Sequence, residues 1–143
     1  MLVKIPKVKE FKIVNNPENV SAIFSAILNS ESEYDREKEH FWMLALNIKN
    51  NVKIVELISM GSLFATIVHP REVYRPAIMT AGVASIIVAH NHPSGDPIPS
   101  DEDIKITKQL IEAGDILGIK LLDHVIVTLD SAKYLSMKFG GYI

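Results

Sequence analysis

Apolar positions along this chain switch between two periods, and the switches divide it into segments. Val20, Ile23, Phe24, Ile27 and Leu28 fall on one face at helical spacing. Asn16-Pro17 stands ahead of them, and proline is favoured at a first helical position, so the helix starts there. Residues 41–48 and 52–59 are apolar runs of strand length joined by Lys49-Asn50-Asn51. Upstream, Val3 to Val14 alternates as an edge strand would, where Pro6 is tolerated. A third apolar run covers Leu63 to Val68, and Pro70 opens a second helix with a kink expected at Pro76. The run Ala84-Ser85-Ile86-Ile87-Val88-Ala89 reads as a buried strand over 84–90. From Ser100, the residues Ile104, Thr107, Leu110, Ile111 and Leu117 return to helical spacing until Gly118, which stops the helix. A strand over 120–128 follows, and residues 129–143 add a short strand or turn. The order β-α-β-β-β-α-β-α-β predicts an α/β (mixed α+β) fold, a mixed β-sheet with helices packed against it.

With 143 residues, 48 % of them hydrophobic, the chain can bury a sizeable core as one domain. It contains neither an apolar span of about 18 residues nor a signal-peptide layout, so the expectation is a cytoplasmic protein with no membrane partner. The absence of cysteine removes disulfides and every thiolate metal site. Fifteen basic against 17 acidic residues, net −2, give no basic footprint for neutralising phosphates, so charge does not support DNA as a partner. An edge strand or exposed apolar residues near the N-terminus would allow a homodimer.

The chemistry is concentrated in His90-Asn91-His92-Pro93-Ser94-Gly95-Asp96-Pro97-Ile98-Pro99-Ser100-Asp101-Glu102-Asp103. Two histidines one residue apart on extended backbone point to the same side, so both imidazoles can reach one ion. They stand at the carboxyl end of the strand, where open α/β sheets place ligands. Pro93 biases His92 toward extended backbone, and the prolines and Gly95 that follow make a loop with little freedom to lose. Ser100-x-x-Asp103 has the form of a helix cap, which puts the Asp103 carboxylate in the first turn beside the loop. A His, His, carboxylate set with a fourth position left to water is the ligand pattern of catalytic zinc, whereas a structural site would be closed by four protein ligands. Taken singly, a histidine is more often structural and a Ser-x-x-Asp pair more often only a cap. The coincidence carries the metal reading.

His90-x-His92, seven residues, Ser100, two residues, Asp103 resembles the metal motif of the JAB/MPN (JAMM) metalloprotease superfamily. The wording His-Asn-His-Pro-Ser-Gly-Asp-Pro-x-Pro-Ser is similar to its RadC-like branch. Glu39-His40-Phe41-Trp42, Pro70-Arg71-Glu72-Val73 and Leu121-Leu122-Asp123-His124-Val125-Ile126-Val127 resemble further segments of RadC-like proteins in the same order, so that roughly residues 37–143 are covered. The resemblance implies the MPN fold, with His90, His92 and Asp103 binding one Zn²⁺ per chain. It also implies that Ser100 helps hold the oxyanion of the attacked carbonyl and that an upstream glutamate, best matched by Glu39, is the general base. Chemistry asks for such a carboxylate as well, because acidified water must still lose its proton and a leaving amine must gain one. Glu37 stands in reserve, since residues 37 and 39 share a face if extended, and both belong to a polar connector from Glu31 to Glu39.

RadC-like proteins commonly carry a helix–hairpin–helix module ahead of the metal domain. Here 38 residues precede Glu39 and lack its Gly-rich hairpins, so residues 1–143 are expected to form the MPN domain alone. The letters His90-Asn91-His92 are not an HNH nuclease signature, whose residues are dispersed over a ββα unit. Asp123 and His124 are read as a paired, half-buried polar couple that could contact a ligand from behind. His40 and His69 are read as structural, and Arg71 as a surface ion-pairing residue. Three functions stay open: a zinc-dependent peptidase or isopeptidase acting on a protein or peptide, a metal-dependent nuclease or DNA-repair protein, and a non-catalytic MPN scaffold.

Overall fold

A computed structural model of the chain describes residues 13–61 and 68–143. The strand expected over Val3 to Val14 and the apolar run Leu63 to Val68 lie almost wholly outside the described residues.

The first helix, α1 (Pro17–Asn29), begins as its sequence demands. Asn16 is the N-cap, its side chain accepts the Asn19 N–H at 2.9 Å, and Pro17 occupies the first turn. Its buried stripe contains Val20, Ile23, Phe24, Ile27 and Leu28. The polar connector then folds into one short helix, α2 (Glu33–Arg36), which the charge pattern had concealed; Ser32 caps it by accepting the Asp35 N–H. Strands β1 (Glu39–Leu46) and β2 (Val52–Gly61) form an antiparallel hairpin. At its turn Asn50 takes a left-handed φ of 62°, and the Asn47 side chain accepts from the N–H groups of Lys49 and Asn51. Next come α3 (Pro70–Ile78), which contains Pro76, then β3 (Ser85–Asn91), α4 (Asp101–Leu117), β4 (Lys120–Val127) and the two-residue β5 (Leu135–Ser136). Gly118 ends α4 with φ 74°, a left-handed cap that only glycine adopts without strain.

The sheet order is β2-β1-β3-β4-β5. All neighbours are antiparallel except β3 and β4, which run parallel with α4 as their crossover. The result is the mixed sheet with packed helices that the element order predicted.

Strand parity assigns each side chain to one of two layers. Trp42, Leu44, Leu46, Ile87, Ala89, Val125 and Val127 pack with α1 on one face. Phe41, Met43, Ala45, Ile86 and Val88 pack with α3 and α4 on the other. β3 is buried at every residue because helices cover both of its faces. Glu39, His90 and His92 share the parity of the second layer, so they gather at the end of the sheet beside the start of α4.

Helix α4 approaches α3 and the following loop closely at Gly114. A Cβ added there would stand 2.3 Å from the Tyr74 hydroxyl and 2.5 Å from the Ile119 carbonyl oxygen, and Tyr74 is already committed to donating to the Leu110 carbonyl at 2.8 Å. In an unencumbered helix Gly→Ala stabilises by about 1 kcal/mol. Here Gly114→Ala is expected to destabilise by about 1–3 kcal/mol through overpacking, read as a lower urea midpoint. An unchanged or raised midpoint would contradict this packing.

Candidate metal centre

His90 lies one residue from the end of β3, and the chain leaves the sheet through Asn91 into His92. The loop that follows folds back onto His92. The Gly95 N–H donates to the His92 carbonyl at 3.0 Å, Gly95 itself takes φ 84°, and His92 Nδ1 lies 2.8 Å from the Asp96 carbonyl oxygen. A carbonyl can only accept, so Nδ1 of His92 carries a proton in either charge state of the ring, and Nε2 is the nitrogen turned inward. Helix α4 brings the third donor. Ser100 and Asp103 form a complete capping box: Ser100 Oγ accepts the Asp103 N–H at 3.1 Å, and Asp103 Oδ2 accepts the Ser100 N–H at 2.9 Å. Capping thus immobilises the same carboxylate that faces the histidines.

Three donor atoms converge. His90 Nε2 and His92 Nε2 are 2.8 Å apart, and Asp103 Oδ2 is 3.3 Å and 3.2 Å from them respectively. Bonds of roughly 2.0–2.1 Å to a tetrahedral ion would separate two ligand atoms by about 3.3 Å. The donor set and its spacing therefore fit one divalent cation, and the three residues form the group among the described residues that could hold one. His90 is wholly buried and Asp103 nearly so, whereas the His92 side chain retains 16 % of its exposure, which leaves the group open on one side.

The charges are set by these contacts. Burial works against ionisation of Asp103, but the two imidazoles and the Ser100 N–H outweigh it and hold the carboxyl far below the usual range. Burial opposes charge on His92 too, yet the Asp103 carboxylate and the Asp96 carbonyl hold it above the usual histidine range. His90, with no exposure at all, is held below that range by burial. Glu39 is the first residue of β1, and burial pushes its carboxyl above the ordinary value; His92 opposes this and Asp103 adds to it. A raised carboxyl next to the donor group suits a proton acceptor. Glu37 instead caps α2 in a helical conformation, so it does not share an extended face with Glu39. Both glutamates line, with Lys38, His92, Pro93 and Ser94, a cleft of about 470 Å³. Ser100 Oγ uses a lone pair in the cap, which leaves its O–H to donate elsewhere.

Sequence reasoning missed Asn91. It is buried between the two histidines; its Oδ1 accepts the His40 N–H at 2.6 Å and its Nδ2 donates to the Lys38 carbonyl at 2.9 Å. The side-chain amide takes over where the β1–β3 ladder stops at the Phe41–His90 pair, and it grips the backbone on both flanks of Glu39. The strand pairing was the missing signal. His40 stays outside the donor group, stacked on Trp42 and 2.6 Å from Glu31, in keeping with a structural role. His124 is not half-buried: it has no exposure, its Nε2 lies 2.6 Å from His90 Nδ1, and burial holds it well below the histidine range. Asp123 does not pair with it across the ring; it accepts the N–H groups of His124 and Lys138 and the Ser136 hydroxyl.

A family profile described as the RadC-like JAB domain matches residues 14–142. A UPF0758 protein of Caldanaerobacter subterraneus subsp. tengcongensis is 50 % identical over 129 residues, covering 90 % of this chain and 52 % of that protein. One from Methanococcoides burtonii is 55 % identical over 107 residues (75 % and 45 %), and one from Alkaliphilus oremlandii 52 % identical over 132 residues (92 % and 53 %). The chain spans about half the length of these relatives. No helix among the described residues is long and apolar enough to cross a membrane.

The Asn91 bridge yields a stability test. Asn91→Ala leaves the buried His40 N–H without its acceptor and removes one of two donors to the Lys38 carbonyl, which should cost about 1–3 kcal/mol in urea unfolding. Asn91→Asp should not rescue it, because one carboxylate oxygen accepts from His40 while the other faces the Lys38 carbonyl where the amide donates. A variant within about 0.5 kcal/mol of wild type would show that the bridge does not hold β1 to β3.

Proposed function

This chain belongs to the RadC-like JAB domain family, and from that premise we propose that it is a zinc-dependent hydrolase of amide bonds, a peptidase or isopeptidase acting on a protein or peptide. The observation that carries the reading is the triangle of His90 Nε2, His92 Nε2 and Asp103 Oδ2, with edges of 2.8, 3.2 and 3.3 Å, beside a cleft that His92 and Glu39 both line.

His90, His92 and Asp103 would hold the ion. When bound, zinc supplies a Lewis acid that brings the pKa of water down to roughly 7 and polarises a carbonyl. Glu39 accepts the proton of the attacking water and returns it to the departing amine, and the elevated affinity of its carboxyl for a proton fits both halves of that task. Ser100 donates its free hydroxyl proton to the oxygen that gains negative charge on the attacked carbonyl. Its oxygen is steadied for this by the Asp103 N–H. Asn91 positions Glu39 through the backbone on either side. The loop from Pro93 to Pro99 keeps His92 oriented, so little order has to be created when the ion or a substrate arrives.

Metal analysis beside cleavage assays tests this reading. Wild type is expected to carry about one zinc per chain and to cleave peptide but not DNA, with both zinc and turnover lost in His92→Ala. Glu39→Gln should keep its zinc while peptide turnover falls by roughly 10²–10⁴. DNA cleavage abolished by His92→Ala would overturn the peptidase in favour of a nuclease. Stoichiometric zinc with no turnover on any substrate would leave a scaffold.

A further inference from the structure

Behind the donor group lies a run of buried polar contacts that the proposed chemistry does not use. His90 Nδ1 meets His124 Nε2 at 2.6 Å, His124 Nδ1 meets Thr107 Oγ1 at 2.6 Å, and Thr107 Oγ1 lies 2.6 Å from the backbone carbonyl oxygen of Asp103. His90, His124 and Thr107 each have no exposure, so water does not compete for these bonds. The run starts on one member of the donor triangle, on β3, crosses to β4 and returns through α4 to another member.

The direction of every proton in this run follows from its last acceptor. A carbonyl cannot donate, and Thr107 Oγ1 has one hydrogen. Were that hydrogen given to His124, two oxygens with facing lone pairs would stand 2.6 Å apart in a buried place, which is costly. Thr107 therefore donates to the Asp103 carbonyl, one turn back along α4, a habit of helical threonine. His124 Nδ1 must then donate to Thr107, which leaves His124 Nε2 bare in the neutral ring. That nitrogen accepts from His90 Nδ1–H, so the bare nitrogen of His90 is Nε2, the one in the triangle.

We infer that His124 and Thr107 are positioning residues that preset the tautomer and ring orientation of His90, coupling it to the helix turn that carries Asp103. The inference rests on the metal reading for its consequence. With His90 Nε2 already bare, metal uptake at His90 needs no proton shift. Phe41 walls the run, edge-on to His124 with ring centroids 5.6 Å apart and parallel to His90, and Met137 Sδ sits 3.4 Å from Thr107 Oγ1, so both rings have little room to turn. Imidazole ligands more often donate their second nitrogen to a carboxylate or a carbonyl. A histidine in that role is what makes the relay necessary, because it too must be told which nitrogen carries its proton.

Nitrogen-15 NMR of the histidine rings in metal-free protein reads the tautomers directly. The expected result is a protonated Nδ1 and bare Nε2 on His124, with a slowly exchanging Nδ1 proton. A proton on His124 Nε2 would overturn the inference. Zinc affinity by chelator competition then tests the consequence. Thr107→Val and His124→Phe, which keep the volume and remove the relay, should each weaken zinc binding by about 10–100-fold, and His124→Gln, which restores an acceptor toward His90, should recover most of it. The conservative Thr107→Val keeps the test alive if His124→Phe does not fold. Wild-type affinity in both Thr107→Val and folded His124→Phe would overturn the positioning role while leaving the metal reading intact. A wild-type protein that takes up no zinc would overturn the metal reading itself, and the positioning role with it.

Discussion

Two imidazole nitrogens and a carboxylate oxygen are held within 3.3 Å of one another at the end of a sheet, with His90 and Asp103 buried. Such a cluster is unfavourable unless a proton or a cation stands among its members. The fold supplies rigid reasons for each to stay. Asp103 is locked by its own helix cap, His92 by the Asp96 carbonyl, and His90 by the register of β3 and the ring of His124. Because none of the three can easily turn away, the demand for positive charge at their centre becomes a property of the architecture.

That architecture is economical in what it asks of the chain. Antiparallel pairing of β1 with β3 sets Phe41 opposite His90, so that Glu39 and His92 fall at the same end and on the same face. Parallel pairing of β3 with β4 sets His124 beside Val88, close behind the donor triangle, and the crossover between those strands is the helix whose first turn bears Asp103. Asn91 points the other way from the histidines and ties down the backbone around Glu39. One strand exit thus orients both the donor triangle and the carboxylate of Glu39. A JAB-type domain with a site able to hold a metal ion follows from the family and the geometry together; zinc and amide hydrolysis are what we propose for it.

Local signals were legible in the sequence wherever the physics is local. Asn16-Pro17 starts α1, Ser100 caps α4 and Gly118 ends it, because capping and left-handed backbone depend on a few neighbouring residues. The short spacing of His90 and His92 and the cap motif at Asp103 likewise brought the donor triangle within reach of reading from a single segment. What stayed hidden depends on partners distant along the chain. His124 looked half-exposed because β4 alternates only weakly, and its burial comes from α4 and Phe41. Asn91 looked like a spacer, since its partners are 51 and 53 residues away. Within the polar connector, α2 was masked by its charges, and that helix removed Glu37 from the extended face it was expected to share with Glu39.

The most direct measurement is an anomalous difference map from crystals of the protein grown with zinc and recorded at the zinc absorption edge. A single peak bonded to His90 Nε2, His92 Nε2 and the Asp103 carboxylate, at about 2.0–2.2 Å from each, is the predicted result. No peak there, or a peak elsewhere with the two imidazoles rotated apart, would contradict the account.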